Sequence, residues 1–107
     1  RTRYRGTPVM RARYGGFLRN VAVAIGNCGD ASSLYPLSRA LQHHEPLARG
    51  HSAWALGRIG SRLGLERIRR ILEARLYFEN DEWVCEEIEL ALGEMMNAWR
   101  PPAGGAR

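Results

Sequence analysis

One short phrase recurs three times in this chain. It reads Ala22-Val23-Ala24-Ile25-Gly26, then Ala53-Trp54-Ala55-Leu56-Gly57, then, more loosely, Leu90-Ala91-Leu92-Gly93. Gly26 and Gly57 stand 31 residues apart, and Gly57 and Gly93 stand 36 apart. A supersecondary unit repeating at such a period cannot bury its apolar face alone and must stack on its neighbours, so the phrase predicts a helical solenoid. Glycine inside a helix costs about 1 kcal/mol relative to alanine. Gly26 and Gly57, with Ala22, Ala24, Ala53 and Ala55 around them, are therefore expected where a neighbouring helix comes close.

The rest of the pattern is helical too. Leu18, Val21, Ala22 and Ile25 mark one face of a first helix over Phe17–Cys28, which Gly29 is expected to stop in the left-handed region. Asp30 or Ser33 caps a second helix reaching about Leu41, with Pro36 in its first turn. Pro46 opens a third, expected to stop at Gly60. A fourth covers about Arg62 to Phe78 with Leu65, Ile68, Ile71, Leu72 and Leu76 inward, and Asn80 or Asp81 caps a fifth that ends before Pro101-Pro102. No segment alternates as a strand does. The fold class is all-α, five helices stacked as antiparallel pairs in a short solenoid. Residues 1–16 form a basic lead-in, 17–100 the repeat domain and 101–107 a frayed tail.

At 107 residues the chain holds one small domain. It opens on Arg1 and reads as a piece of something longer. No apolar run reaches the ~20 residues that span a bilayer, and no signal-peptide pattern is present. Cys28 and Cys85 lack a Cys-x-x-Cys partner; they suit a reduced, cytoplasmic setting and are expected to be small buried hydrophobes.

Charge is unevenly spread. All 16 cations are arginine. Residues 1–78 carry 14 arginines against four acids, and residues 79–107 carry two against seven. A GC-rich genome accounts equally well for arginine over lysine, but not for this polarity. A one-sided guanidinium field attracts polyanions and matches phosphate oxygens. The 31-residue offset maps Asn20 onto His51 and Asn27 onto Arg58, and the next offset leads to Glu87 and Glu94. Positions seven apart share a helical stripe, so stacked units should set these side chains in rows, flanked by Arg19 and Arg49. Such rows grip phosphates and sugar hydroxyls without reading bases. His51 serves equally as a structural histidine, and Trp54 is read as packing rather than as a stacking platform. His43 and His44 are adjacent and make a poor metal site. No phosphate loop, paired carboxylates or nucleophile–base arrangement stands out, so no catalytic and no metal-binding residue is assigned.

Two longer runs are more specific. Gly6-Thr7-Pro8-Val9-Met10-Arg11 followed by Leu18–Asn27, and Pro46-Leu47-Ala48-Arg49-Gly50-His51-Ser52-Ala53-Trp54-Ala55-Leu56-Gly57-Arg58-Ile59-Gly60, resemble the C-terminal portion of epoxyqueuosine reductases. These are iron–sulfur and cobalamin enzymes that complete queuosine in tRNA. The Ala-x-Ala-Leu-Gly core alone is shared with many HEAT-like proteins, bilin lyases included. The resemblance implies a HEAT-like module that helps hold tRNA. The cysteine motifs, cobalamin pocket and catalytic acid are expected in an upstream domain of the parent protein, and no cofactor in this segment. Arg19, Asn20, Arg49, His51 and Arg58 fall on the family's motif residues; with Arg11 and Arg13 they form the candidate tRNA-binding set. A HEAT-like protein-interaction scaffold is the alternative, and the chain is expected to be a monomer.

Overall fold

The structure, a computed structural model, describes residues 20–98. The lead-in, the tail, and Arg11, Arg13 and Arg19 lie outside the described residues. Helix α1 occupies 20–28. A single 3-10 turn, Ala31–Ser33, leads into α2 (Leu34–Ala40), followed by α3 (Pro46–Leu63), α4 (Glu66–Phe78) and α5 (Glu82–Ala98). No strand occurs among the described residues. The all-α reading holds.

Local chemistry sets most boundaries. Asp30 accepts from the Ser32 amide at 2.9 Å and so caps the 3-10 turn, while Ser33 makes no capping bond. Pro46 sits at the start of α3 behind an extended Glu45, where a missing N–H costs nothing. Asp81 accepts from the Val84 amide at 3.0 Å and caps α5. Two stop signals differ from expectation. α3 runs through Gly60 and ends at Gly64, whose φ of 65° makes it the left-handed cap. It is also the one positive-φ glycine among the described residues, so Gly29 ends α1 without entering that region. Gly60 is spent on packing instead: a Cβ there would stand 2.8 Å from Met95 Cε and 3.2 Å from Ile68 Cγ2.

The helices form two layers. α1, α3 and α5 lie side by side, and α2 and α4 cover them. The glycines record the spacing of the first layer. A Cβ on Gly26 would meet Trp54 Cζ3 at 2.9 Å, and one on Gly57 would meet Ala91 Cβ at 2.6 Å. The pairs Gly50–Trp83, Gly57–Ala91 and Gly60–Met95 keep a nearly constant sequence offset, so α3 and α5 run parallel. Gly93 has nothing within 4 Å of where its Cβ would be. The third phrase therefore packs inward through Ala91 and leaves its glycine on an outer face.

Between the layers lies one core. Leu41, Ala53, Ala55, Leu56, Ile59, Ile68, Leu72, Val84 and Ile88 are wholly buried. Leu65, Ile71 and Leu76 pack against it, completing the inward stripe expected of α4. Cys28 departs from expectation: at the end of α1 it is exposed, whereas Cys85 is half-buried.

Candidate nucleic-acid interface

One of the two expected rows is present, at one margin of the first layer. Asn27, Arg58 and Glu94 line a single cleft of 330 Å³ together with Ser61, Arg62 and Ala98. The parallel stacking of α1, α3 and α5 brings them together, as the repeat offsets predict. Arg58 is held on two sides. Its guanidinium carbon lies 5.7 Å from the Trp54 ring centroid, and Nη1 donates to Glu94 Oε2. Trp54 in turn covers Gly26, so the ring is packing and support for the cation above it. The Arg58 side chain remains 44% exposed, which keeps the guanidinium within reach of an incoming anion.

Arg62 enters the same cleft without having been singled out by sequence. Its Nη2 donates to the Gly26 carbonyl at 2.9 Å and the Gly29 carbonyl at 2.6 Å, giving the free carbonyls of α1 a cationic cap. Ser61 Oγ is buried with no hydrogen-bond partner among the described residues. It lines both this cleft and a neighbouring one of 460 Å³ bounded by Gly64, Leu65, Met95 and Met96.

The other candidates separate. Asn20 is exposed at the start of the described part of α1. His51 is half-buried, its ring edge-on to Trp83 at 5.4 Å, and it lines an apolar groove of 380 Å³ with Val21, Ala22, Ile25 and Leu37. Arg49 turns inward. Nε and Nη2 grip Glu79 at 2.9 and 2.8 Å, and Nη1 donates to the carbonyls of His43 and His44 at 2.9 and 3.0 Å. With 12% of its side chain exposed and its donors committed, Arg49 binds the α2–α3 turn to the α4–α5 turn rather than offering charge to solvent. Nothing in the sequence offset distinguishes an arginine that faces water from one that finds a buried carboxylate.

Glu79 is the centre of that network. Its carboxylate is fully buried; it also accepts from Arg75 Nε at 3.0 Å and the Asp81 amide at 3.0 Å. Burial pushes its pKa up, but the Arg49 and Asp81 hydrogen bonds and the two guanidinium charges outweigh that and hold it below the usual carboxylate range. Glu87, the acidic counterpart of His51 in the repeat register, is shifted upward by burial and by Glu86. The Cys85 thiol is pushed up by burial and by Glu79, Glu89 and Asp81, which suppresses the thiolate.

No group of three or more His, Cys, Asp or Glu side chains among the described residues is placed to hold a metal ion. The two cysteines do not fit an iron–sulfur cluster, which takes four thiolates. No described helix is long and apolar enough to cross a membrane.

Parallel helices stacked through glycine and alanine, covered by a second helical layer, define a HEAT-repeat protein. The family model for HEAT repeats matches residues 15–93, and the chain belongs to that family. It is 37% identical over 82 residues to an epoxyqueuosine reductase of Bacillus subtilis (strain 168), covering 75% of this chain and 20% of that protein. An uncharacterized protein in the gldA 3' region of Geobacillus stearothermophilus matches with the same identity and length, 35% of it being covered. The chain thus spans a fifth to a third of these relatives. No solved structure matches it.

Proposed function

We propose that this chain is the tRNA-holding helical-repeat module of an epoxyqueuosine reductase, cytoplasmic, monomeric and without catalysis of its own. The observation that carries the reading is the 82-residue likeness to such a reductase, which takes in three quarters of the chain. The enzyme's iron–sulfur clusters and cobalamin would belong to an upstream domain of the parent protein, which would share the tRNA with this module.

The charge supports a phosphate-binding role for particular residues. Arg58 pairs with Glu94 at the surface, where such a bond contributes only about 0.2–1 kcal/mol, so a phosphate can replace the carboxylate at little cost. Asn27 and Arg62 flank that exchange. Arg11, Arg13 and Arg19 add N-terminal charge, and Asn20 and His51, which lie apart from that cleft, complete the proposed set. Arg49 is left out because its guanidinium is already committed.

The test is tRNA affinity of the chain across a salt series. Each phosphate contact is expected to contribute about 0.7–0.9 to the log–log slope. Arg58→Gln should weaken binding and lower the slope by about one contact, whereas Glu94→Gln, which frees Arg58, should tighten it. A salt-independent affinity, or none, overturns the reading. One observation favours a protein-interaction scaffold instead: α5 exposes Leu90 and Met96 beside Glu86 and Glu89. Capture of a basic protein partner that survives Arg58→Gln and is lost on neutralising Glu86 and Glu89 would support that second reading.

A further inference from the structure

The cover layer carries a second concentration of features that the cleft does not use. Arg39, Arg67 and Arg70 make no ion pair among the described residues, and all three lie on α2 or α4. The exposed aromatic rings of the described residues, Tyr35, Tyr77 and Phe78, lie on the same two helices. The acidic side chains of α5 are in the other layer. On α2 the two features satisfy each other, Arg39 donating to the Tyr35 hydroxyl at 3.2 Å with its guanidinium carbon 5.7 Å from the ring centroid, so cations without an ion pair and bare rings coincide on α4, away from the negative end.

On α4 the coincidence becomes a surface. At 100° per residue, Arg67, Arg70, Ala74, Tyr77 and Phe78 fall within an outward arc of about 100°. Tyr77 and Phe78 are 83% and 70% exposed, and their rings meet at 5.0 Å with planes 87° apart. Two perpendicular rings at a helix end make a corner with one open face on each side. Ala74 leaves low ground between that corner and the cations, Arg70 standing about 10 Å and Arg67 about 15 Å along the helix from Tyr77. The acids of α4, Glu66 and Glu73, share the one cation of Arg69, and Arg67 and Arg70 turn the remaining single negative charge into a net +1.

We propose that this outward face of α4 is a stacking platform for unpaired nucleotides, Tyr77 and Phe78 taking base faces while Arg67 and Arg70 hold adjacent phosphates. The combination selects the occupant. A paired duplex buries its base faces and offers only phosphates, whereas an unpaired strand offers both to the rings and guanidiniums that are bare here. The proposal rests on the tRNA reading and deepens it, assigning loop nucleotides rather than stem to this layer.

The experiment measures anisotropy of a short fluorescein-labelled oligouridylate, and of an RNA duplex of equal length, titrated with the full chain. Tyr77→Ala/Phe78→Ala should weaken oligouridylate binding by about tenfold or more, because stacking contributes about 1–3 kcal/mol per base. Duplex affinity should not change, and Tyr77→Trp should retain binding. Arg67→Gln/Arg70→Gln should lower the salt slope for the single strand by about 1.4, two contacts at roughly 0.7 each. The rings are exposed, so unchanged thermal unfolding verifies that the variants fold. Oligouridylate affinity equal to the parent's in the ring variant, an equal loss on duplex, or capture only of a protein ligand overturns the platform. If tRNA binding then keeps its full salt slope, the broader reading stands without it.

Discussion

Three glycines written into one sequence phrase have three different surroundings, and substitution should separate them. Alanine at Gly57 would place a Cβ 2.6 Å from Ala91 Cβ and 3.0 Å from Ala91 Cα, which only a shift of α5 relieves. Overpacking of that kind costs about 1–3 kcal/mol and outweighs the ~1 kcal/mol that alanine gains in a helix. At Gly26 the obstacle is the Trp54 ring edge, which can move more readily. At Gly93 there is no obstacle, so alanine keeps the whole propensity gain. Gly57→Ala should lower the midpoint of thermal unfolding and Gly93→Ala should raise it. Equal responses would mean that the layer spacing does not depend on the missing side chain.

At the scale of elements, the lock of Arg49, Glu79 and Arg75 fastens turn to turn. Removing one member strands a buried charge, which costs about 3–5 kcal/mol. Glu79→Gln should therefore destabilise strongly in urea titrations at neutral pH. The sign with pH follows from the lowered Glu79 pKa. The unfolded chain holds this proton more tightly, so its contribution is complete above the ordinary carboxylate pKa and is lost as pH falls through the lower folded value. The Gln variant should lack that share of acid sensitivity. How legible these elements are in the sequence depends on what fixes them. Pro46, Asp81 and the apolar period of α4 act locally and could be read directly. Gly60 could not, because a glycine looks the same whether it caps a helix or admits Met95. The row of Asn27, Arg58 and Glu94 was legible because a repeat carries its own register. The inward turn of Arg49 depends on Glu79, 30 residues away, and no local pattern encodes it.

Taken whole, the molecule separates charge from scaffold. Residues 20–98 contain eight arginines and eleven acids, so the described residues carry a net −3 while the chain as a whole is +5. On the proposed reading, polyanion attraction depends on where arginines lie, in the lead-in, at Arg58 and Arg62 and in the cover layer, and not on the overall sign of the fold. The stitching is uneven too. One margin, where α3 begins and α4 ends, is closed by the buried carboxylate and its arginines. The opposite margin, where α3 and α5 end, holds the 330 and 460 Å³ clefts. Amide hydrogen exchange should consequently be slowest around Arg49 and Arg75 and faster around Ser61 to Arg69, and uniform protection would contradict this. Bound like a book, the layer has a buried carboxylate for its spine, while the opposite edge is clasped by the Arg58–Glu94 pair and by the Arg62 bonds to the end of α1. An anion that competes for either arginine would therefore act on the clasp and leave the spine intact.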